Sequence, residues 1–431
     1  MKKVLVIGCD FSPSSLPNAL RLRFLVSHLV DFGWEPTILT TNTDYSLYPV
    51  DKENSNLLPE KLNIIRSKAI PLNYTKYFGL NDIGMRSLWH YWNIISEHCS
   101  KGLVDLIIIS VPPHLPMILG RLAKKKFGIP YVIDYQDPWV SDYFMKLPIS
   151  KRSSKAYLAY GLSKLLEPSA LREASGIIGV SQGTTDDVLN RYNWSSNLKT
   201  AEIPLGIEPQ DFEYLKRNPR KNSFYNKNEE YFNVCYIGVY AASMEHTVRA
   251  LFKAFKLGLD ENHNLFSQIR FKFIGTSYYT GTQLNYQITP IAEEYGISEY
   301  VYEQPERVSY LDAIQLMHDS HTLLALGSEE PHYTASKIFP YILAKKHILA
   351  IFHEDSSVVD ILNNTSSGKA ITFNSQDFPN LNTKEIKNKL TEVASLSRDY
   401  SPSTNWEKFE LFTAKAMSQK LAEFLDDVYK N

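Results

Sequence analysis

Short apolar runs rich in β-branched residues alternate with longer segments of helical period along the whole of this 431-residue chain. The runs are VLVIG, EPTILTT, LIIISV, YVID and GIIGV in the first half, and VCYIGV, FKFIG, LLALG and HILAIF in the second. Strands that alternate with helices pair in parallel, with the helices covering the faces of the sheet. The pattern therefore predicts an α/β chain.

The alternation occurs in two successive series, which predicts two doubly wound, Rossmann-like domains facing across a cleft. Between the series lie AEIPLGIEP, with its prolines and glycine, and the lysine- and asparagine-rich stretch KRNPRKNSFYNKNEE. We predict an N-terminal domain over residues 1–205 and a C-terminal domain over residues 206–405. One amphipathic helix is predicted from Trp406 to Tyr429, and the segment 406–431 is expected to pack back on the N-terminal domain.

The first helix is predicted within ALRLRFLVSHLVDFG, where Gly33 is expected to end it. Its apolar residues follow the i, i+3, i+4, i+7 spacing of one helical face. These residues are Leu22, Leu25, Val26, Leu29 and Val30.

Composition and cysteine spacing disfavour several classes of protein. The formal net charge of −1 gives no general attraction to nucleic acid. The three cysteines are widely spaced and form no C-x-x-C or Cys/His cluster, which disfavours a disulfide framework or a zinc site and indicates the reducing cytoplasm. The N-terminal VLVIG is too short for a signal peptide, and no apolar run reaches the roughly 18 residues needed to span a bilayer.

Ligands of such sheets bind beyond the carboxyl ends of the strands, so the loops there are the candidate sites. These loops are SPSSLPN (12–18), VPPH (111–114), DYQDPW (134–139), IGVYAAS (237–243), QPERV (304–308) and GSEEPHYTASK (327–337). In two facing domains they would converge on one cleft. No G-x-G-x-x-G follows the first strand, which disfavours a nicotinamide-binding domain.

The stretch DYQDPW places Asp134 and Asp137 at such an end. Carboxylates there can act in acid–base chemistry or position a hydroxyl group. Either could instead cap a helix or pair with an arginine. The position at the edge of the sheet favours a functional role for Asp137.

The stretch TASKIFPYILAKKHILAIF reads as a helix start, a short helix and a buried strand. Ser336 and Lys337 would lie at the helix N-terminus, where backbone N–H groups and a positive charge suit a phosphate. A simple cap is the alternative, and the two roles are compatible. Pro340 fits the first turn. His332, with Glu329 and Glu330 nearby, lacks the further ligands at fixed spacing that a metal site needs.

Residues 141–166 are basic and aromatic, with five Lys or Arg residues against one aspartate. A helix with a cationic face can lie on anionic lipid headgroups, which would make this a peripheral membrane contact. A solvated helix face with buried tyrosines is the alternative.

The motifs, in their order, resemble the GT-B glycosyltransferases, specifically the family 4 type that builds bacterial surface glycans. The resemblance covers nearly the whole chain. It rests on SPSSLPNALRLRFLVSHLVDFGWEPTILTT, VDLIIISVPPHLPMILGRLAKKKFGIPYVIDYQDPW, ASGIIGVSQGTTDDVL, IPLGIEPQDF, VCYIGVY and SKIFPYILAKKHILAIF. It implies transfer of a sugar from a nucleotide-sugar donor with retained anomeric configuration, no bound metal and no further cofactor.

The resemblance also implies roles for individual residues. Asp137, and with it Gln136, would be catalytic and lie near the reacting centre. The donor would be held by Gly238, Arg307, Val308, Glu329, Glu330, His332, Ser336 and Lys337. The acceptor side would include Pro13, Ser14, Arg21 and Asp134.

The chain departs from the family pattern at several positions. Where the family frequently has a Glu-x7-Glu pair, this sequence has His332 and Pro340. The loop GVYAASMEHTV lacks the common Arg and Lys, and only His246 and Arg249 could supply charge there. Gln136 replaces an arginine, and SPSSLPN replaces a glycine-rich loop.

The leading hypothesis is a cytoplasmic retaining glycosyltransferase that modifies a glycan or lipid-linked acceptor at the inner face of the cell membrane. A non-catalytic scaffold of the same fold, or a nucleotide-sugar epimerase, is the alternative. The sequence does not distinguish donor bases, acceptors, linkages or oligomeric states.

Overall fold

The computed structural model describes residues 1–48, 50–78, 81–140, 154–194, 198–226, 230–277, 285–330, 335–377 and 380–430. The chain forms two compact units. One comprises Met1–Gly206 together with Phe412–Asn431, and the other comprises Ile207–Leu411. His332 and the segment 141–153 lie outside the described residues.

The described part of the first unit contains a seven-stranded sheet in the order β3-β2-β1-β4-β5-β6-β7, with every pair of neighbours parallel. Its strands are β1 (Lys2–Ile7), β2 (Trp34–Thr41), β3 (Asn63–Ser67), β4 (Leu106–Val111), β5 (Tyr131–Tyr135), β6 (Gly176–Gly179) and β7 (Lys199–Glu202). The strand order reverses between β1 and β4, where a doubly wound sheet opens its ligand crevice.

The helices of the first unit are α1 (Pro17–Val26), α2 (Leu72–Thr75), α3 (Ile83–Ser100), α4 (Met117–Phe127), α5 (Ser154–Leu171) and α6 (Gln182–Arg191). Helix α1 is shorter than the apolar spacing predicted. It ends at Val26, a 3-10 turn follows over Leu29–Phe32, and Val30 is 51% exposed. Gly33 ends this turn with a positive φ, as the sequence suggested.

The described part of the second unit repeats the design with a six-stranded parallel sheet in the order β10-β9-β8-β11-β12-β13. Its strands are β8 (Phe232–Ile237), β9 (Ile269–Ile274), β10 (Val301–Gln304), β11 (Thr322–Leu326), β12 (His347–His353) and β13 (Ile371–Phe373). The order reverses between β8 and β11. Two doubly wound Rossmann-like domains are therefore confirmed.

The second unit has helices on both sides of its sheet. They are α7 (Pro209–Arg217), α8 (Glu245–Glu261), α9 (His263–Phe266), α10 (Thr289–Glu294), α11 (Tyr310–Asp319), α12 (Ile338–Leu343), α13 (Ser357–Asn364), α14 (Thr383–Ala394) and α15 (Trp406–Phe409). Aromatic residues fill much of the core between α8 and the sheet. Phe255 meets Phe271 edge to face at 5.0 Å between ring centroids, the geometry that aromatic pairs prefer.

The chain returns to the first unit through α16 (Ala414–Tyr429). The prediction of one helix from Trp406 was wrong, because Thr413 has extended backbone and caps a new helix by accepting a hydrogen bond from the Ala416 N–H. The buried Ser418 hydroxyl bonds to the Leu25 carbonyl at the end of α1, and the Trp34 indole donates to Asp426. Among the described residues no helix is both long and apolar enough to cross a bilayer.

Candidate functional site

Lys337 is the most unusual polar residue at the carboxyl edge of the second sheet. It immediately precedes α12, and its ammonium nitrogen has no exposed surface and no hydrogen-bond partner among the described residues. The nitrogen lies 3.6 Å from the centroid of the Tyr236 ring, a cation–π contact. Burial lowers the pKa of Lys337 to about 7. A buried amine without a counter-ion is costly, so this position is suited to an anionic ligand.

Gly238, the first residue after β8, faces this amine. A Cβ on Gly238 would lie 3.4 Å from the Lys337 nitrogen, and its φ of +128° is a conformation that other residues rarely adopt. Glycine thus places no side chain beside the amine, and its role in a close approach of the donor stays a prediction.

Tyr341 fixes the start of α12 against the end of β8. Its buried hydroxyl accepts a hydrogen bond from the Ile237 N–H at 2.9 Å. The strands β8 and β11 pair only at Val234 and Cys235, so the carboxyl end of β8 has no ladder partner on that side. The tyrosine fills that vacant position and holds Lys337 at the reversal of strand order.

Arg307 and Val308 lie next to this position, in the loop that follows β10. The Arg307 Cα is 3.6 Å from where a Cβ of Gly275 would be, so a second glycine of positive φ allows this loop to approach β9. Buried Glu303 stabilises the neighbouring turn, since it accepts hydrogen bonds from the Thr276 hydroxyl and the Ile288 and Thr289 N–H groups. Arg307 is exposed and Val308 half-buried, which leaves both within reach of a ligand.

The other predicted donor residues are on the surface. Ser336, Glu329 and Glu330 are exposed, and the Glu330 N–H donates to the Ser328 hydroxyl. No side chain caps α12, so Ser336 does not act as the predicted capping residue. A helix of six residues has a weak dipole, and the charge of Lys337 is therefore the stronger feature.

In the first unit, the predicted acceptor-side residues Arg21 and Asp134 form a buried ion pair. Their side chains have 0% exposure, and the Arg21 Nη2 lies 2.8 Å from the Asp134 Oδ1. Arg21 also donates to the Ile203 carbonyl after β7, and the Ser110 hydroxyl donates to Asp134. This pair ties α1, β5, β4 and the segment after β7 together, so it can act on an acceptor only through the loops that it holds.

Asp137 and Gln136 lie just beyond β5. Asp137 is exposed, whereas Gln136 is half-buried and donates to the Ser110 hydroxyl at 3.0 Å. The Asp137 carbonyl is 2.8 Å from the Nε2 of His114. A carbonyl only accepts, so Nε2 carries the proton and the Nδ1 of a neutral His114 is left as an acceptor.

His114 stacks on Trp139 with 5.6 Å between ring centroids and 14° between planes. Burial lowers its pKa, with the Asp137 carbonyl acting in the opposite direction. His114 is therefore neutral at pH 7, and its Nδ1 can accept a hydrogen bond from a hydroxyl group.

The crevice between β1 and β4 also contains Asp10 and Asn18. The Asn18 amide donates to Asp10 at 3.2 Å and to the Pro112 carbonyl at 3.1 Å, which joins the two loops. Burial raises the pKa of Asp10, although the Asn18 hydrogen bond opposes this effect. Pro13, predicted on the acceptor side, has no side-chain hydrogen-bonding group; the buried hydroxyls of that loop belong to Ser12 and Ser14.

Sequence reasoning did not single out His114, Asp10 and Asn18. The signal was weak, since each follows a strand but only the strand order shows that β1 and β4 are neighbours. Within the described parts of the chain, no group of three or more His, Cys, Asp or Glu residues could hold a metal ion.

Comparisons with known proteins agree with this fold. Residues 19–206 match the family model of the glycosyl transferase 4-like domain. Among solved structures, the chain resembles a glycosyltransferase from Rickettsia africae ESF-5, with 14% identity, a TM-score of 0.60, and coverage of 100% of this chain and 99% of that one. None of the curated proteins compared with the chain matches its sequence.

Two further structures were solved with ligands. Anabaena Alr3699/HepE in complex with UDP-glucose has 14% identity and a TM-score of 0.60, covering 99% of this chain and 100% of that one. The α,α-trehalose-phosphate synthase (UDP-forming) from Burkholderia xenovorans, in complex with glucose-6-phosphate, has 10% identity and a TM-score of 0.62 with the same coverage. At this identity the likeness shows the fold, which is GT-B.

Proposed function

We propose that this GT-B chain, whose first domain is a glycosyl transferase 4-like domain, is a retaining glycosyltransferase. It moves a sugar from a nucleotide-sugar donor to a glycan or lipid-linked acceptor in the synthesis of cell-surface polysaccharide. The structures it resembles include one bound to UDP-glucose, which supports a donor of this class. We further propose that it works in the cytoplasm, at the inner face of the cell membrane.

The buried amine of Lys337 carries the proposal. When the bond between sugar and diphosphate breaks, negative charge develops on the departing phosphate oxygens. A cation fixed beside them stabilises that charge without reorganisation. Lys337 lies at the reversal of strand order beside Gly238, which has no side chain to separate the amine from a phosphate. We expect it to supply the charge that a bound metal supplies in other enzymes.

The first domain offers groups that can orient an acceptor hydroxyl. The carboxylate of Asp137 is exposed beyond β5, and the Nδ1 of His114 can accept a hydrogen bond. Arg21 and Asp134 would position the loops that carry them. In this proposal the acceptor contacts Asp137 and His114, while Gln136 holds the loop after β5 to β4 through its hydrogen bond to the Ser110 hydroxyl.

The scaffold alternative predicts that the donor site has decayed. In a chain that binds no anionic ligand, a buried amine without a counter-ion only lowers the stability of the fold, and substitution by an apolar residue would remove this destabilisation. The presence of this amine beside a glycine of positive φ therefore favours a working donor site.

The direct test is turnover with the purified full-length chain. Nucleotide sugars with uridine, guanosine, adenosine, cytidine and deoxythymidine bases are incubated with membrane extract, with EDTA, and the released nucleotide is measured. The proposal expects release from one donor that depends on the extract, and a product of unchanged anomeric configuration by NMR. Conversion of the donor to its sugar epimer, without acceptor and without net release of nucleotide, would instead indicate an epimerase, and no release from any donor would contradict the proposal.

Membrane contact is supported by helix α5. Its outer face carries an apolar stripe in which Leu158 is 76% exposed, Leu162 41% and Leu165 70%. Exposed Lys164 borders this stripe. Between Asp142 and Glu167 the sequence has five basic and no acidic residues. Apolar side chains flanked by lysines are the pattern of a helix that lies in an anionic lipid surface.

Liposome flotation tests this contact. The wild type should float with vesicles that contain phosphatidylglycerol, and much less with pure phosphatidylcholine. Replacement of Leu158, Leu162 and Leu165 by Gln should abolish flotation, while Leu257→Gln, at an exposed leucine of α8, should have no effect. Equal flotation of both variants would contradict a role for the stripe.

A further inference from the structure

The protonation state of the Lys337 amine before a ligand binds follows from its surroundings. The amine has no exposed surface and no hydrogen-bond partner among the described residues, and its nearest π system is the Tyr236 ring at 3.6 Å. A cation–π contact offsets only part of the cost of taking an ammonium group out of water. The neutral amine tolerates this position better than the charged one does.

The groups on the surrounding elements do not supply a counter-ion. They are Tyr236 and Cys235 on β8, Tyr341 on α12, Asp312, His318 and Asp319 on α11, Glu303 and Arg307 at the end of β10, and Glu329 and Glu330 after β11. Asp312 pairs with Arg220, and Glu303 is occupied by the turn that it stabilises. None of the described carboxylates forms an ion pair with Lys337.

From this geometry, a buried amine with no counter-ion, we infer that Lys337 takes up one proton from solvent when a nucleoside diphosphate binds. This inference rests on the proposed donor site. The bound diphosphate becomes the missing counter-ion, so the protonated amine is more stable in the complex than in the free protein. The site thus acquires its positive charge together with its ligand.

Proton uptake makes affinity depend on pH with a definite sign. Burial lowers the pKa of free Lys337 to about 7, and the diphosphate raises it in the complex. Well below pH 7 the amine is charged in both states, so it adds no further pH dependence to the affinity. Above pH 7 each further pH unit should weaken binding by up to about tenfold, because binding then requires uptake of a proton and the proton concentration falls tenfold per unit.

Isothermal titration of UDP, GDP, ADP and dTDP tests this linkage. Titrations at pH 8.5, where the phosphates are fully ionised, are run in HEPES and in Tris, whose ionisation enthalpies differ. Wild type should bind one of these nucleotides with heats that differ between buffers by close to one proton. At pH 6 the proton uptake should be smaller, because Lys337 is already charged in the free protein and the terminal phosphate of the nucleotide is itself partly protonated.

Three variants separate this linkage from other effects. Lys337→Arg keeps a permanent charge and Lys337→Met has none, so neither should show buffer-dependent heat at pH 8.5. Lys369→Met, at an exposed lysine before β13, should behave as wild type. Tight wild-type binding with equal heats in both buffers would overturn the inference and leave the donor site intact. No binding of any nucleotide at either pH would overturn the proposed function as well.

Discussion

A single buried amine should affect the stability of the free protein as well as ligand binding. The folded-state pKa of Lys337 is lowered to about 7, so between pH 7 and the unfolded value near 10.5 the unfolded chain binds more protons. The contribution of this residue therefore becomes less unfavourable as the pH rises through this window. Below pH 7 the full cost of burying the charge is present.

Lys337→Met should therefore melt at a higher temperature than wild type at pH 6, and this difference should shrink at pH 9. Thermal melts of both proteins without ligand measure the difference. A difference that does not change with pH would mean that the amine is not charged and buried as described.

Arg21 illustrates a residue whose type suggested a site but whose surroundings show a supporting role. Its partner Asp134 is fully buried with it, and removal of one partner leaves an uncompensated charge. Arg21→Ala should lower the free energy of unfolding by about 3–5 kcal/mol. Lys101→Ala, which removes an exposed pair with Glu97, should change it by less than about 1 kcal/mol. Urea unfolding checks both values, and a mild effect of Arg21→Ala would favour a direct ligand role.

Asp137 is expected to act in turnover and not in donor binding. Its side chain is exposed in the first domain, whereas the donor groups belong to the second. Asp137→Asn should lower kcat by about 10- to 100-fold and leave the affinity for the nucleoside diphosphate unchanged. Steady-state kinetics combined with titration separates the two. Equal losses in both would move Asp137 to the donor side.

At the scale of elements, the link from β8 to α12 determines the donor site. Gly238 follows the strand with a φ of +128°, and a Cβ there would be in van der Waals contact with the Lys337 amine. Gly238→Ala should weaken nucleoside diphosphate binding by about tenfold or more, because it adds backbone strain and fills the ligand space. Gly296→Ala, at a glycine of positive φ with open space around it, controls for strain alone. Similar binding losses in both variants would contradict the proposed approach above Gly238.

Elements with strong periodicity were predictable from the sequence. HILAIF forms β12, and Ser336 and Lys337 directly precede α12, because an apolar β-branched run and a proline in the first turn are local signals. Breaks within apparently regular segments were not predictable. Just beyond the end of α1 the His28 N–H donates to the Ser418 hydroxyl of α16, a tertiary hydrogen bond that one sequence does not reveal, whereas the cap at Thr413 is a local bond within an otherwise helical pattern.

Some residues of the candidate site could likewise be predicted from the sequence, and others could not. Lys337 and Gly238 could be predicted because they follow strands in motifs of recognisable type. The His114 contact with Asp137, and the hydrogen bond by which Asn18 joins the loops after β1 and β4, depend on which strands are neighbours. The order of strands in a sheet cannot be predicted from short stretches of sequence. The burial of Lys337 without a partner depends on packing around it and could be found only in the folded chain.

For the whole molecule, we assign donor binding to the second Rossmann-like unit and acceptor contacts to the first. The family match lies in the first unit, over residues 19–206, while the second unit is assigned by its GT-B fold and by the geometry around Lys337.

The measurement to make first is a thermal-shift panel with UDP, GDP, ADP, CMP and dTDP, each with EDTA. Millimolar ligand with micromolar affinity stabilises a protein by about 4 kcal/mol, which gives a clear shift in the melting temperature. The account predicts that one nucleoside diphosphate stabilises the wild type, that its nucleoside does not, and that Lys337→Ala loses most of the shift, since a charge-assisted hydrogen bond contributes about 1.5–3 kcal/mol. A wild type that none of these nucleotides stabilises would contradict the central claim.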